Sequence, residues 1–257
     1  MRTLLLAASA TLLLATNASA GLWDCSNKEP RNASVAAGGI SRVVVIARAG
    51  SLKVTGGGGG DVRATGTACS DDADLLKDMK LVATRRGSEV RVEAIIPEPT
   101  ISFWGSKNAT LDFEVTLPAG VAVDVQDSSG EAEIDNVGPL TVDDSSGELR
   151  IRGVRGNLSV EDSSGGIEIR DVTGNVRVED GSGEIDIEQV GGDVVIAEDG
   201  SGAIDIRNVR HNVNVEDDGS GGLSVSDVGG DFTVGRKGSG GVSYDRVAGK
   251  VSVPRRY

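Results

Sequence analysis

The stretch GSGEIDIEQVGGDVVIAEDGSG, residues 181–202, decides the fold. Ile185 and Ile187 alternate with acidic residues, Val190 follows, two glycines interrupt, and Val194 and Ile196 alternate again. An apolar period of two carried by β-branched side chains marks strands that show one face to a core. A helix is excluded, because β-branched residues hold the apolar positions and glycine interrupts each unit. The segment opens and closes on the same Gly-Ser-Gly signal, so it is one unit of a repeat.

That signal recurs as DSSG at 127, 144 and 162, as DGSG at 180, 199 and 218, and as KGSG at 237, with spacings of 17, 18, 18, 19, 19 and 19 residues. Neighbouring units repeat the apolar frame, with Ile167, Ile169, Val172, Val176 and Val178 before it and Ile204, Ile206, Val209, Val213 and Val215 after it. A unit this short cannot bury its apolar face alone, but stacked units place Ile on Ile and Val on Val. The expected fold is an all-β parallel β-solenoid of about seven 18–19-residue coils, about 4.8 Å apart.

Gly130, Gly147, Gly165, Gly183, Gly202, Gly221 and Gly240 mark the first corner of each coil. Gly138, Gly156, Gly174, Gly192, Gly230 and Gly249 mark a second corner, where His211 fills the place in one unit as a residue that tolerates positive φ. The serines before the first-corner glycines are expected to stack as a hydroxyl ladder.

Outside the repeat, residues 21–120 read as a strand-rich N-terminal region or irregular early coils, with one short helix over 71–79. Strands are expected over 42–47, 51–54, 62–67, 81–84, 89–95 and 110–116, and the five glycines Gly56 to Gly60 read as a hairpin tip. The solenoid itself spans 121–253, followed by a tail over 254–257 whose Pro254, Arg255 and Arg256 discourage stacking by another chain. A monomer is the expectation. Residues 1–20, with Arg2, an apolar run and Ala18-Ser19-Ala20, read as a secretory signal peptide cut near Ala20. The exported chain is then periplasmic, cell-surface or secreted, with no transmembrane segment in its mature form. Cys25 and Cys69 are the two cysteines, and in an oxidising compartment they are expected to pair.

Composition narrows the function. The formal net charge is −13, which disfavours nucleic acid and anionic membrane as partners. Three Phe, two Trp and two Tyr are too few for a row of stacking subsites, and one histidine leaves no zinc site built from several.

The run LDFEVTLPAGVAVDVQDSS, residues 111–129, followed by the Ser-Gly units, resembles the bacterial putative-adhesin repeat family over roughly residues 35–253. The resemblance implies a right-handed β-helix-like fold on an exported protein. It carries no catalytic residues over.

Three functional classes follow. The leading one is a non-catalytic adhesin-like binding or structural protein, presenting a rigid acidic surface to a cell-envelope component, a glycan or a protein, with no cofactor. The second is divalent-cation binding, since Asp144, Asp162, Asp180, Asp199 and Asp218 recur once per coil and hard carboxylate oxygens suit Ca²⁺. The third is a polysaccharide lyase or hydrolase using outward pairs such as Glu168 with Asp186, or Asp186 with Asp205. No long insertion between coils is available to wall a cleft for that chemistry.

Overall fold

The computed structural model describes residues 25–97 and 108–254. The signal segment and Arg255 to Tyr257 lie outside the described residues. Two sheets face each other across one apolar core. Sheet I holds β1 (Asn27–Ala36), β3 (Leu52–Gly56), β4 (Asp61–Ser70), β7 (Ala109–Leu117), β9 (Gly130–Asp135), β11 (Gly147–Val154), β13 (Gly165–Val172), β15 (Ile185–Val190), β17 (Ile204–Val209), β19 (Leu223–Val228) and β21 (Val242–Val247). Sheet II holds β2 (Arg42–Ile46), β5 (Lys80–Arg86), β6 (Glu89–Ile95), β8 (Ala122–Asp127), β10 (Leu140–Asp144), β12 (Leu158–Asp162), β14 (Val176–Asp180), β16 (Val194–Ser201), β18 (Val213–Ser220), β20 (Phe232–Ser239) and β22 (Val251–Ser252).

From β8 onward each coil contributes one strand to each sheet and pairs in parallel with the coil before it, which is the β-solenoid that the repeat implies. Ile167 sits over Leu149 and under Ile185, and Val176 over Leu158 and under Val194. Identical faces meet because the period of two is kept in register coil after coil, and Ile169, Ile185, Ile187, Ile196 and Ile206 are fully buried.

The parallel stack continues below residue 121, in an order that differs from the chain order. β2 lies between β6 and β8, and β3 lies between β7 and β9, so the coil made first in sequence is clasped between two made later. β1, β4 and β5 then close that end with antiparallel pairing. Helix α1 (Ala73–Asp78) packs against the same end, with Asp72 as its N-cap accepting from the amides of Asp74 and Leu75. Leu76 and Met79 are buried there, and the Arg31 guanidinium donates to the carbonyls of both. The disulfide Cys25–Cys69, with Cα atoms 5.8 Å apart, ties the entry of β1 to the end of β4.

Two expectations are corrected. The Gly56 to Gly60 segment is no hairpin tip, because β3 and β4 are separated by β7. The run instead crosses the end of β7, and the amides of Gly57 and Gly58 both donate to the Leu117 carbonyl. At the second corner Asn136, Gly153, Asp171, Gln189, Asn208, Asp227 and Arg246 have φ between 49° and 73° and Gly156 has φ 136°, and His211 is not among them. Its exposed corner position is set by stacking, its carbonyl accepting from the Gly230 amide at 2.8 Å. The first-corner serines do stack, Ser201, Ser220 and Ser239 standing in register, and the hydroxyls of Ser129, Ser146 and Ser164 donate to backbone carbonyls of the coil beneath.

Candidate functional site

The acidic turn residues part into two rows. In sheet II the alternation that buries Val142, Val160 and Val178 continues for one more step, so Asp144, Asp162 and Asp180 also point inward. Asp127, Asp144, Asp162, Asp180, Asp199 and Asp218 stack in one line, each at most 7 % exposed. Asp143, Glu161, Glu179, Glu198 and Asp217 precede them on the outer face. The structure thus brings all five sequence-predicted aspartates together, with Asp127 added, and hides them.

Their hydrogen bonds are incomplete. Asp127 accepts from the Ser128 amide at 2.7 Å, and Asp144, Asp162 and Asp180 accept from the amides two residues on, at 3.1–3.2 Å. One further oxygen of each is buried without a partner, and both oxygens of Asp199 are. Between Asp180 and Asp199 a bulge adds a residue, and β16 runs on through the corner to Ser201 rather than folding its amides over the carboxyl. At the far end the Lys237 ammonium lies 2.9 Å from Asp218 Oδ1 and also donates to the carbonyls of Gly221 and Ser239.

Burial is the main cause of raised proton affinity along the line. It pushes Asp127 to about 6, helped by the Asp144 charge, and Asp162 to about 6 against the opposing Ser164 amide. Asp199 rises to about 7 through burial and the charges of Asp218 and Asp180. Asp144 and Asp180 are raised for the same primary reason. Among the described residues no group of three or more His, Cys, Asp or Glu side chains converges where a metal ion could sit. The line is linear, not clustered.

The outer face of sheet I carries a different arrangement. Glu133, Arg150, Glu168, Asp186 and Asp205 stack in register, and beside them run Asp135, Arg152, Arg170, Glu188 and Arg207. Lys53 holds Glu133 at 2.7 Å, Arg150 reaches Glu131 and Glu148, Arg170 reaches Glu168 at 3.0 Å, and Arg207 bridges Asp186 at 2.9 Å and Asp205 at 3.1 Å. The Lys53 hydrogen bond draws Glu133 below its usual range, while burial and the Glu133 charge raise Asp135. For Glu168, Asp186 and Asp205 this geometry has a chemical consequence. Arg207 holds both oxygens of Asp186 and one of Asp205, and Arg170 lies against one oxygen of Glu168, so guanidinium groups compete for the carboxylates that an acid and base pair would direct at a glycosidic bond.

One ladder escaped sequence reasoning. The Oδ1 atoms of Asn157, Asn175, Asp193, Asn212 and Asp231 each accept the backbone amide one coil on, at 2.7–3.0 Å. Its signal was present as Asn or Asp directly after the second-corner position in five units.

No family model and no curated protein matches the sequence. Solved structures match the chain at low identity. A putative adhesin from Bacteroides fragilis is 14% identical, with 90% of this chain and 99% of that chain covered and a TM-score of 0.41. A putative lipid binding protein from Parabacteroides distasonis is 13% identical over 89% and 98%, with a TM-score of 0.42. A putative cell adhesion protein from Clostridium sporogenes is 10% identical over 88% and 98%, with a TM-score of 0.35. No helix among the described residues is long and apolar enough to cross a membrane.

Proposed function

We propose that the protein is exported and acts without catalysis, as a rigid adhesin-like binding or structural module that presents its outer sheet faces to a cell-envelope component, a glycan or another protein. The observation that carries this reading is the charged face of sheet I. Its carboxylates and guanidinium groups are held both by neighbours two residues along the same strand and by neighbours on adjacent coils, at a coil repeat of about 4.8 Å. A preorganised polar surface of that kind loses little side-chain freedom on binding and suits a partner that repeats charges or hydroxyl groups. A shallow depression of about 560 Å³ at the junction with the cap, lined by Lys53, Thr65, Thr67, Glu114 and Glu133, offers further hydrogen-bonding groups. Export is supported by the N-terminal segment of the sequence and by the disulfide.

Incubation of the mature protein with envelope fractions and polysaccharides tests the reading. Retained protein with no soluble fragments is the expected outcome. Fragments that vanish in Asp186→Asn would replace this reading with an enzyme.

A further inference from the structure

Six carboxyl groups stand in one interior line, and the charges around them do not neutralise it. Asp127 to Asp218 are 1–7 % exposed and one coil apart, and each has at least one buried oxygen without a hydrogen-bond donor. Asp199, 1 % exposed with both oxygens unpartnered, is the clearest case. One residue beyond the Ile46–Gln126 pair, the line ends on buried Ala47. At its other end Lys237 supplies a single positive charge to Asp218. Across the corner stand Gly130, Gly147, Gly165, Gly183, Gly202 and Gly221, which carry no charge. The flanking groups on the same strands are Asp143, Glu161, Glu179, Glu198 and Asp217, themselves acidic, and then Arg236, which pairs with Asp217.

One ammonium cannot balance six buried carboxylates. A carboxylic acid beside a carboxylate, in contrast, supplies the missing donor and makes a strong charge-assisted hydrogen bond. Two carboxyls in one low-dielectric place do not both ionise readily. We propose that this row is a proton-holding site: neighbouring carboxyls share protons from coil to coil, the line terminates on the Lys237 ammonium, and the rod is most stable in mildly acidic medium.

The direction follows from linkage. Carboxyls raised from 3.8 to about 6 or 7 bind protons more tightly in the folded rod than in the unfolded chain. Their cost is therefore absent below about pH 4, accumulates as pH rises from there to about 6 to 7, and is fully felt above that.

Urea unfolding at pH 5 and pH 8, in buffer containing EDTA, reads the coupling. The midpoint is expected to be higher at pH 5. Because net negative charge also favours the lower pH, Asp199→Asn is the deciding arm: a neutral group of the same shape should raise the pH 8 midpoint and narrow the difference. The infrared stretch of a protonated carboxyl, present at neutral pH and weakened in Asp199→Asn, gives a readout apart from stability. A midpoint no higher at pH 5, or a difference that Asp199→Asn leaves unchanged, overturns the proposal. So does a pH 8 midpoint restored by Ca²⁺ to its pH 5 value, which would give the row to a cation.

Discussion

Gly165→Ala is expected to destabilise the protein by about 4 kcal/mol, while Gly166→Ala, one residue further on, stays within about 0.5 kcal/mol. Gly165 has φ +143°, and a Cβ built there falls inside the carbonyl oxygen of Gly147 in the coil beneath. Neither fault relaxes locally, because β11 and β13 are held in register along their length and the corner cannot lift without breaking that pairing. At Gly166 the nearest atom to a new Cβ is the flexible Glu148 Cγ at 3.9 Å. Urea midpoints at constant m-value measure both variants. Equal losses would contradict the view that close coil approach, not general turn flexibility, requires glycine here.

The second large effect falls on Lys237. Its side chain is 5 % exposed and its partner Asp218 1 % exposed, so Lys237→Met leaves a buried carboxylate without its cation. Breaking such a pair costs about 3–5 kcal/mol, and methionine keeps most of the stem's packing, which isolates the charge. The loss is expected at pH 8 and should shrink at pH 5, where a protonated row has less need of an ammonium. An identical loss at both pH values would mean that the Lys237 bonds to the Gly221 and Ser239 carbonyls, not its charge, hold the corner.

The coil architecture was legible because it lives in short-range pattern: alternation, the Gly-Ser-Gly signal and a period of 17 to 19 residues are local facts. The inward aspartates were half legible. Val142 and Asp144, Val160 and Asp162, Val178 and Asp180 share parity, so period two alone places these carboxyls inside. The general expectation that acidic turn residues are solvated hid this, and the bulge before Asp199 breaks the parity from that coil onward. The insertion of β2 and β3 between later strands had no local sign, since any Val-rich strand satisfies the same neighbours. β1 was missed because NKEPRNASVA has almost no apolar alternation, and it is recruited as an edge by β4. Glu168, Asp186 and Asp205 were correctly aligned from the repeat; Arg170 and Arg207 follow Glu168 and Asp205 by two residues on the same strands, a spacing open to sequence reading, whereas the reach of Arg207 to Asp186 depends on the stacking of coils.

The outward face proposed to bind and the inward carboxyl row can be separated in a single comparison. Retention on envelope fractions would be measured for the mature protein, for Arg170→Ala with Arg207→Ala, and for Asp199→Asn, after unfolding curves show all three folded. The account predicts that the arginine variant loses retention and Asp199→Asn keeps it, with no soluble fragments released by any of them. Retention indifferent to both arginines but lost with Asp199, or fragments released by the folded protein, would contradict it.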